Sequence, residues 1–173
     1  MKIIFVCTGN TCRSAMAETL MKAEILKKAE ILKKAEALGK TETPMEAEAL
    51  IKNLEVSSCG TNAFDGKPAT DKAIVAMAEK GLNLSKHRTQ KAIPEILEEA
   101  DLILTMEKHH KETLKLILPP IQYLKVKTIY EYVREGDERG ISDPHGKEIE
   151  EYRKCADELE ILIKEIAGKL NQK

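Results

Sequence analysis

Val6-Cys7-Thr8-Gly9-Asn10-Thr11-Cys12-Arg13-Ser14 follows the apolar run Lys2-Ile3-Ile4-Phe5-Val6 and precedes Ala15-Met16-Ala17-Glu18. A short apolar run, a tight turn carrying glycine and asparagine, then helix-forming residues predict a strand, a loop and a helix in succession. Further strand-like runs, Leu54 to Ser57, Leu102 to Met106 and Val126 to Tyr130, alternate with helical stretches. That order predicts an α/β fold whose parallel sheet carries helices on both faces. In such sheets ligands bind beyond the carboxyl ends of the strands, where this loop falls.

The remaining segments read as helix. From Lys147 onward, Tyr152, Cys155, Ala156, Leu159, Leu162, Ile163, Ile166 and Leu170 share one side of a 3.6-residue period. Cys155 lies on that apolar face and reads as an inert core thiol. Thr43-Pro44-Met45-Glu46 has a cap, a proline at the first helical position and a glutamate at the third, so a helix is expected to start there. Ahead of both, Lys22 to Lys40 is a near-perfect hexad repeat that prolongs the first helix. Glu24 with Lys28, Glu30 with Lys34 and Glu36 with Lys40 stand in the favourable i to i+4 order, about 0.3 kcal/mol each. A six-residue step turns each Ile-Leu pair by about 120° from the last, so Ile25-Leu26 and Ile31-Leu32 cannot share one straight stripe. The repeat is either a surface extension or an arm for self-association or partner binding; without self-association a monomer is expected.

A chain of 173 residues fits one domain. With 33% charged residues and a net charge of -1, no nucleic-acid or membrane partner is expected. No apolar run approaches the roughly 18 residues of a membrane span or the roughly 7–15 of a signal-peptide core, so a cytoplasmic location is expected. The cysteines at 7, 12, 59 and 155 form no C-x-x-C pair and read as thiols. No metal site is expected, because the two loop cysteines lack histidine or carboxylate partners at finger-like spacing.

The loop fits a phosphate-like oxyanion. Backbone N–H groups of Thr8 to Arg13 can curl around its oxygens, Gly9 permits close approach, and the following helix points its positive end at the anion. Arg13 adds a planar fork for two oxygens. The same positive field is expected to lower the pKa of Cys7 and make it a nucleophile. Ser14 can donate a hydrogen bond to the sulfur. A proton for the leaving atom has its best source in Asp143, in Gly140-Ile141-Ser142-Asp143-Pro144-His145-Gly146-Lys147, after a charged loop from Arg134 to Gly140 that can close over the site.

These motifs, with Ser57-Ser58-Cys59-Gly60-Thr61, Ser85-Lys86-His87-Arg88 and the run Ala100 to Met106, resemble the low-molecular-weight protein tyrosine phosphatase family over nearly the whole chain. The resemblance implies a four-stranded parallel sheet with flanking helices and no cofactor. Phosphorylated proteins would be the substrates, hydrolysed through a cysteinyl-phosphate intermediate. It also implies Cys7 as nucleophile, Arg13 as phosphate ligand and Asp143 as general acid and then base, with Asn10, Ser14, Ser58 and His87 supporting the loop. Cys12 resembles a second loop cysteine that traps an oxidised Cys7 as a reversible disulfide.

Two positions depart from the tyrosine-specific pattern. Thr11 stands where those members usually carry an aliphatic residue, and the loop resembles the bacterial protein-arginine phosphatases of the family. A hydroxyl there suits a guanidinium better than a phenol, so phosphoarginine is favoured over phosphotyrosine. His145 stands where an aromatic usually follows Asp-Pro. The stretch at about 22–45 has no counterpart in the family pattern and reads as an insertion away from the loop. The alternatives are an arsenate reductase-like thiol redox enzyme, although no further cysteine pair follows the third strand, and a catalytically silent phosphate-binding module.

Overall fold

The computed structural model describes residues 1–38 and 53–170. Alternation along β1 (Lys2–Cys7) decides what faces which side of the sheet. Ile3, Phe5 and Cys7 enter one core with residues of the first and last helices, and Ile4 and Val6 enter the other with Cys59, Leu97, Ile103 and Leu114. Both faces are therefore covered, as a parallel sheet requires.

Four strands pair in the order β2-β1-β3-β4, all parallel: β2 is Glu55–Gly60, β3 Leu102–Thr105 and β4 Val126–Thr128. The expected α/β architecture stands. β2 runs three residues beyond the expected Ser57, because β1 continues to Cys7 and supplies partners as far as Gly60. β4 stops at Thr128, short of the expected Tyr130. There Thr128 Oγ1 accepts from Glu131 N at 3.0 Å while Glu131 Oε2 accepts from Thr128 N at 3.1 Å, a capping box that opens a helix in place of more strand.

The helices among the described residues are α1 (Arg13–Ala37), α2 (Asp71–Glu79), α3 (Pro94–Glu98), α4 (Lys108–Lys115), α5 (Pro120–Tyr123), α6 (Ile129–Val133) and α7 (Ile149–Leu170). α7 buries the eight side chains its periodicity marks, and Ala167 with them. α1 packs on α7 and buries Ala15, Met16, Ala17, Leu20 and Met21. Farther along, Ile25 rests against the core, whereas Leu26 and Ile31 are 65% and 56% exposed. Lys28 donates to the Ala167 carbonyl at 2.7 Å, which ties the outer part of α1 to α7. The expected helix start at Thr43-Pro44-Met45-Glu46 and the Glu36–Lys40 pair lie outside the described residues.

Candidate active site

β1 ends at Cys7 and α1 begins at Arg13, so the five residues between them turn at the carboxyl edge of the sheet. Asn10 makes that turn with φ 56°, the only non-glycine positive φ among the described residues. Asparagine tolerates this region better than most side chains. The loop carbonyls are held from outside. Cys7 O accepts from Thr61 N at 2.9 Å, Thr8 O from Asn62 N at 2.9 Å, and Thr11 O from Thr70 N at 3.0 Å. Asn10 O takes His87 Nε2 at 2.7 Å.

Gly60 is what lets the loop lie this close to β2. A Cβ there would stand 2.5 Å from Thr8 O and 2.9 Å from Asn10 N. Since both are backbone atoms, Gly60→Ala is expected to cost about 1–3 kcal/mol and, by shifting the loop, on the order of 10²-fold in kcat/KM. Thermal melts and steady-state kinetics on the purified variant check this; unchanged kinetics would mean the loop geometry is not limiting.

Beneath the loop a buried hydrogen-bond chain runs from Glu18 to the thiol, and its proton order follows from the partners. Gln90 N donates to Asn10 Oδ1 at 2.9 Å, which fixes the amide so that Nδ2 donates to Ser58 Oγ at 2.8 Å and Ser14 Oγ at 2.9 Å. Ser58 sends its own proton to Glu18 Oε2 at 2.6 Å. Ser14 Oγ, already accepting from Asn10, has its proton for Cys7 Sγ at 2.9 Å; the Cys59 carbonyl is farther, at 3.5 Å. Asn10 N also donates to Cys7 Sγ, at 3.3 Å. The sulfur thus faces two donors.

The expected lowering of the Cys7 pKa does not follow. Burial pushes the thiol up, and the hydrogen bonds from Ser14, the Arg13 charge and the Asn10 N–H pull it down without overcoming burial. Arg13 has little charge to spare: Nη1 lies 2.5 Å from Glu107 Oε2 and 2.9 Å from the Ile141 carbonyl, and Nη2 lies 2.8 Å from Asp143 Oδ2. The guanidinium itself is 2% exposed. Asp143 Oδ1 accepts from His145 N at 3.1 Å, so one carboxylate organises its own turn and meets Arg13.

Cys7, Thr8, Gly9, Thr11, Cys12, Arg13, Asp143 and His145 line one cavity of about 170 Å³. The geometry thus gathers the loop with Asp143 and His145, and places Ser58 and His87 beneath it. A larger cavity of about 760 Å³, flanked by Lys111, Lys127, Glu131 and Lys169, contains no loop residue and mixes both charges. Cys12 Sγ lies 3.3 Å from Thr70 Oγ1 and 3.8 Å from the Tyr152 hydroxyl. Cys59 points into the opposite core from Cys7, with burial pushing its pKa to about 12, and buried Cys155 is pushed up likewise.

Sequence reading missed three contributors. Glu18 anchors the hydrogen-bond chain, and it stands one helical turn after Ser14, a spacing that could have drawn attention. Glu107 grips Arg13 just past the carboxyl end of β3, the edge where ligands bind. His110 is wholly buried, with Nε2 2.9 Å from Thr8 Oγ1; burial first, then the charges of His109 and Arg13, lowers its pKa to about 3 against the Glu107 main chain.

A strand, an oxyanion-shaped loop with cysteine and arginine six apart, and a helix on a four-stranded parallel sheet define a cysteine-dependent phosphatase. The chain belongs to the low molecular weight phosphotyrosine protein phosphatase family, whose model matches residues 2–45 and 33–173. The protein-arginine-phosphatase of Bacillus subtilis (strain 168) is 36% identical over 172 residues, 99% of this chain and 98% of that one. An arsenate reductase of Staphylococcus aureus (strain N315) is 30% identical over 93% of this chain and 92% of its own. A structure of a cysteine-to-serine mutant of the YwlE arginine phosphatase, with its active-site serine phosphorylated, superposes with a TM-score of 0.79 at 36% identity, covering 100% of this chain and 97% of that one. The chain is a protein phosphatase of the type that works through a cysteinyl-phosphate. No helix among the described residues is long and apolar enough to cross a membrane.

Proposed function

We propose that the chain removes phosphate from arginine side chains of proteins, with Cys7, Arg13 and Asp143 as its catalytic residues. The observation that carries this reading is Thr11 on the wall of the cavity that also holds Cys7, Arg13 and Asp143. The Bacillus subtilis and Geobacillus stearothermophilus relatives, both named protein-arginine-phosphatase, support it.

In this reading the phosphate oxygens take the Arg13 fork and the loop N–H groups, and Asp143 is released from Arg13. One proton then serves both partners. Its transfer from the Cys7 thiol to the Asp143 carboxylate creates a nucleophile and a general acid together. The thiolate attacks phosphorus, the phosphorus–nitrogen bond breaks, and Asp143 protonates the departing guanidine nitrogen. Water, giving a proton back to Asp143, then displaces the sulfur, whose returning charge is met by the Ser14 hydroxyl. Ser58, His87 and Glu18 act by holding Asn10 and Ser14 in place. His145 borders the entrance and contacts the substrate side chain beyond the phosphate, and Cys12 protects an oxidised Cys7.

The test is kcat/KM on a phosphoarginine and a phosphotyrosine peptide for wild type and Thr11→Ile. Wild type is expected to prefer phosphoarginine and the variant to lose that preference by about 10-fold or more, the scale of one lost pocket contact. A preference for phosphotyrosine indifferent to the substitution would overturn the reading. The arsenate reductase relative keeps a redox reading in view, but the sequence has no cysteine between Cys59 and Cys155 to carry a relay.

A further inference from the structure

Directly behind Arg13, Glu107, His109 and His110 each present a ligand atom within 4.8 Å of the other two. Nothing in the phosphatase chemistry uses His109, which is 59% exposed with its Nδ1 3.8 Å from Glu107 Oε2. Its ring lies against that of His110, centroids 3.8 Å apart. His110 is fully buried, and its Nδ1 makes no hydrogen bond of good geometry, the Glu107 main chain engaging the ring only weakly. A buried nitrogen so loosely held can exchange that contact for a ligand.

We propose that these three residues bind a first-row divalent transition metal of the zinc and cobalt class. Two imidazoles and one carboxylate form a ligand set that suits those metals rather than magnesium or calcium. The hydrogen bonds already present agree with such a role. His110 Nε2 faces Thr8 Oγ1 at 2.9 Å, so the ring nitrogen remote from the metal has an oxygen to donate to, as metal-bound histidines do. Glu107 Oε2, which meets Arg13, is also the oxygen 3.8 Å from His109 Nδ1, so the carboxylate would be shared between the guanidinium and the ion. The neighbouring positive charges are each engaged: Arg13 by Asp143, Lys111 by Glu131 and Lys108 by Glu138. Ligands around such a metal stand about 3.4 Å apart, so the exposed His109 side chain closes the set by a small rotation. The site would join a metal ion to the phosphate loop through both Arg13 and Thr8.

The experiment titrates cobalt(II) into the full chain, followed by visible absorption and calorimetry, for wild type, His109→Ala and Cys7→Ser. One equivalent is expected, with weak d–d bands and no sulfur charge-transfer band. Affinity should fall about 10-fold or more in His109→Ala and stay unchanged in Cys7→Ser. His109→Ala should keep the melting temperature and the metal-free activity of wild type, so its loss of binding reports ligation. Absence of binding at millimolar cobalt would overturn the proposal. So would binding indifferent to His109→Ala, or a sulfur charge-transfer band that disappears with Cys7→Ser.

Discussion

Cys7→Ser is expected to lower hydrolysis by on the order of 10⁴ to 10⁶-fold, the scale on which removing an enzyme's nucleophile acts, while inorganic phosphate still binds. The two effects separate because different atoms carry them. Oxyanion binding draws on Arg13 and the loop N–H groups, and the loop shape is held by Asn10 through Ser58, Ser14, Gln90 and His87. None of those contacts involves sulfur. A serine hydroxyl has the donors that face Cys7 Sγ, but its far higher pKa leaves almost no alkoxide. Hydrolysis rates with isothermal titration of phosphate check both halves. Persistent turnover would place the nucleophile elsewhere, and lost phosphate binding would mean that the thiol itself shapes the loop.

Asp143→Asn carries the second large effect, a fall in kcat of roughly 10²–10⁴, the contribution of a positioned proton donor. The amide keeps the shape of the turn that His145 N closes on Oδ1, but it cannot deliver a proton. The loss should therefore depend on the leaving group: largest for one that departs poorly without protonation, small for p-nitrophenolate. Arg13 also loses one of its two carboxylates, so phosphate should bind the variant at least as tightly as wild type. A kcat deficit equal for good and poor leaving groups would reduce Asp143 to a structural partner of Arg13.

What could be read beforehand was local in sequence. The loop from Val6 to Ser14 announces itself by residue type between a strand and a helix, and α7 by its period. Gly60 stood within a recognised segment, although its reason, the closeness of Thr8 O, needs the strand register. What stayed hidden depends on distance along the chain. Glu107 meets Arg13 across 94 residues, His110 meets Thr8 across 102, and Glu18 meets Ser58 across 40. No periodicity encodes such pairings. The Cys7 pKa failed for a related reason: positive groups can be read from the sequence, whereas burial of the sulfur and the sharing of Arg13 between two carboxylates cannot. Strand ends went the same way, since β4 yields at Thr128 to a cap that only the Glu131 contact reveals.

The most direct measurement is rapid quenching of the protein with a phosphorylated protein substrate, followed by mass spectrometry of the peptide that carries the loop. A phosphate attached to Cys7, formed in a burst before steady-state release and lost again as turnover proceeds, is the predicted result. Turnover at full rate with no phosphate ever found on Cys7 would contradict the account.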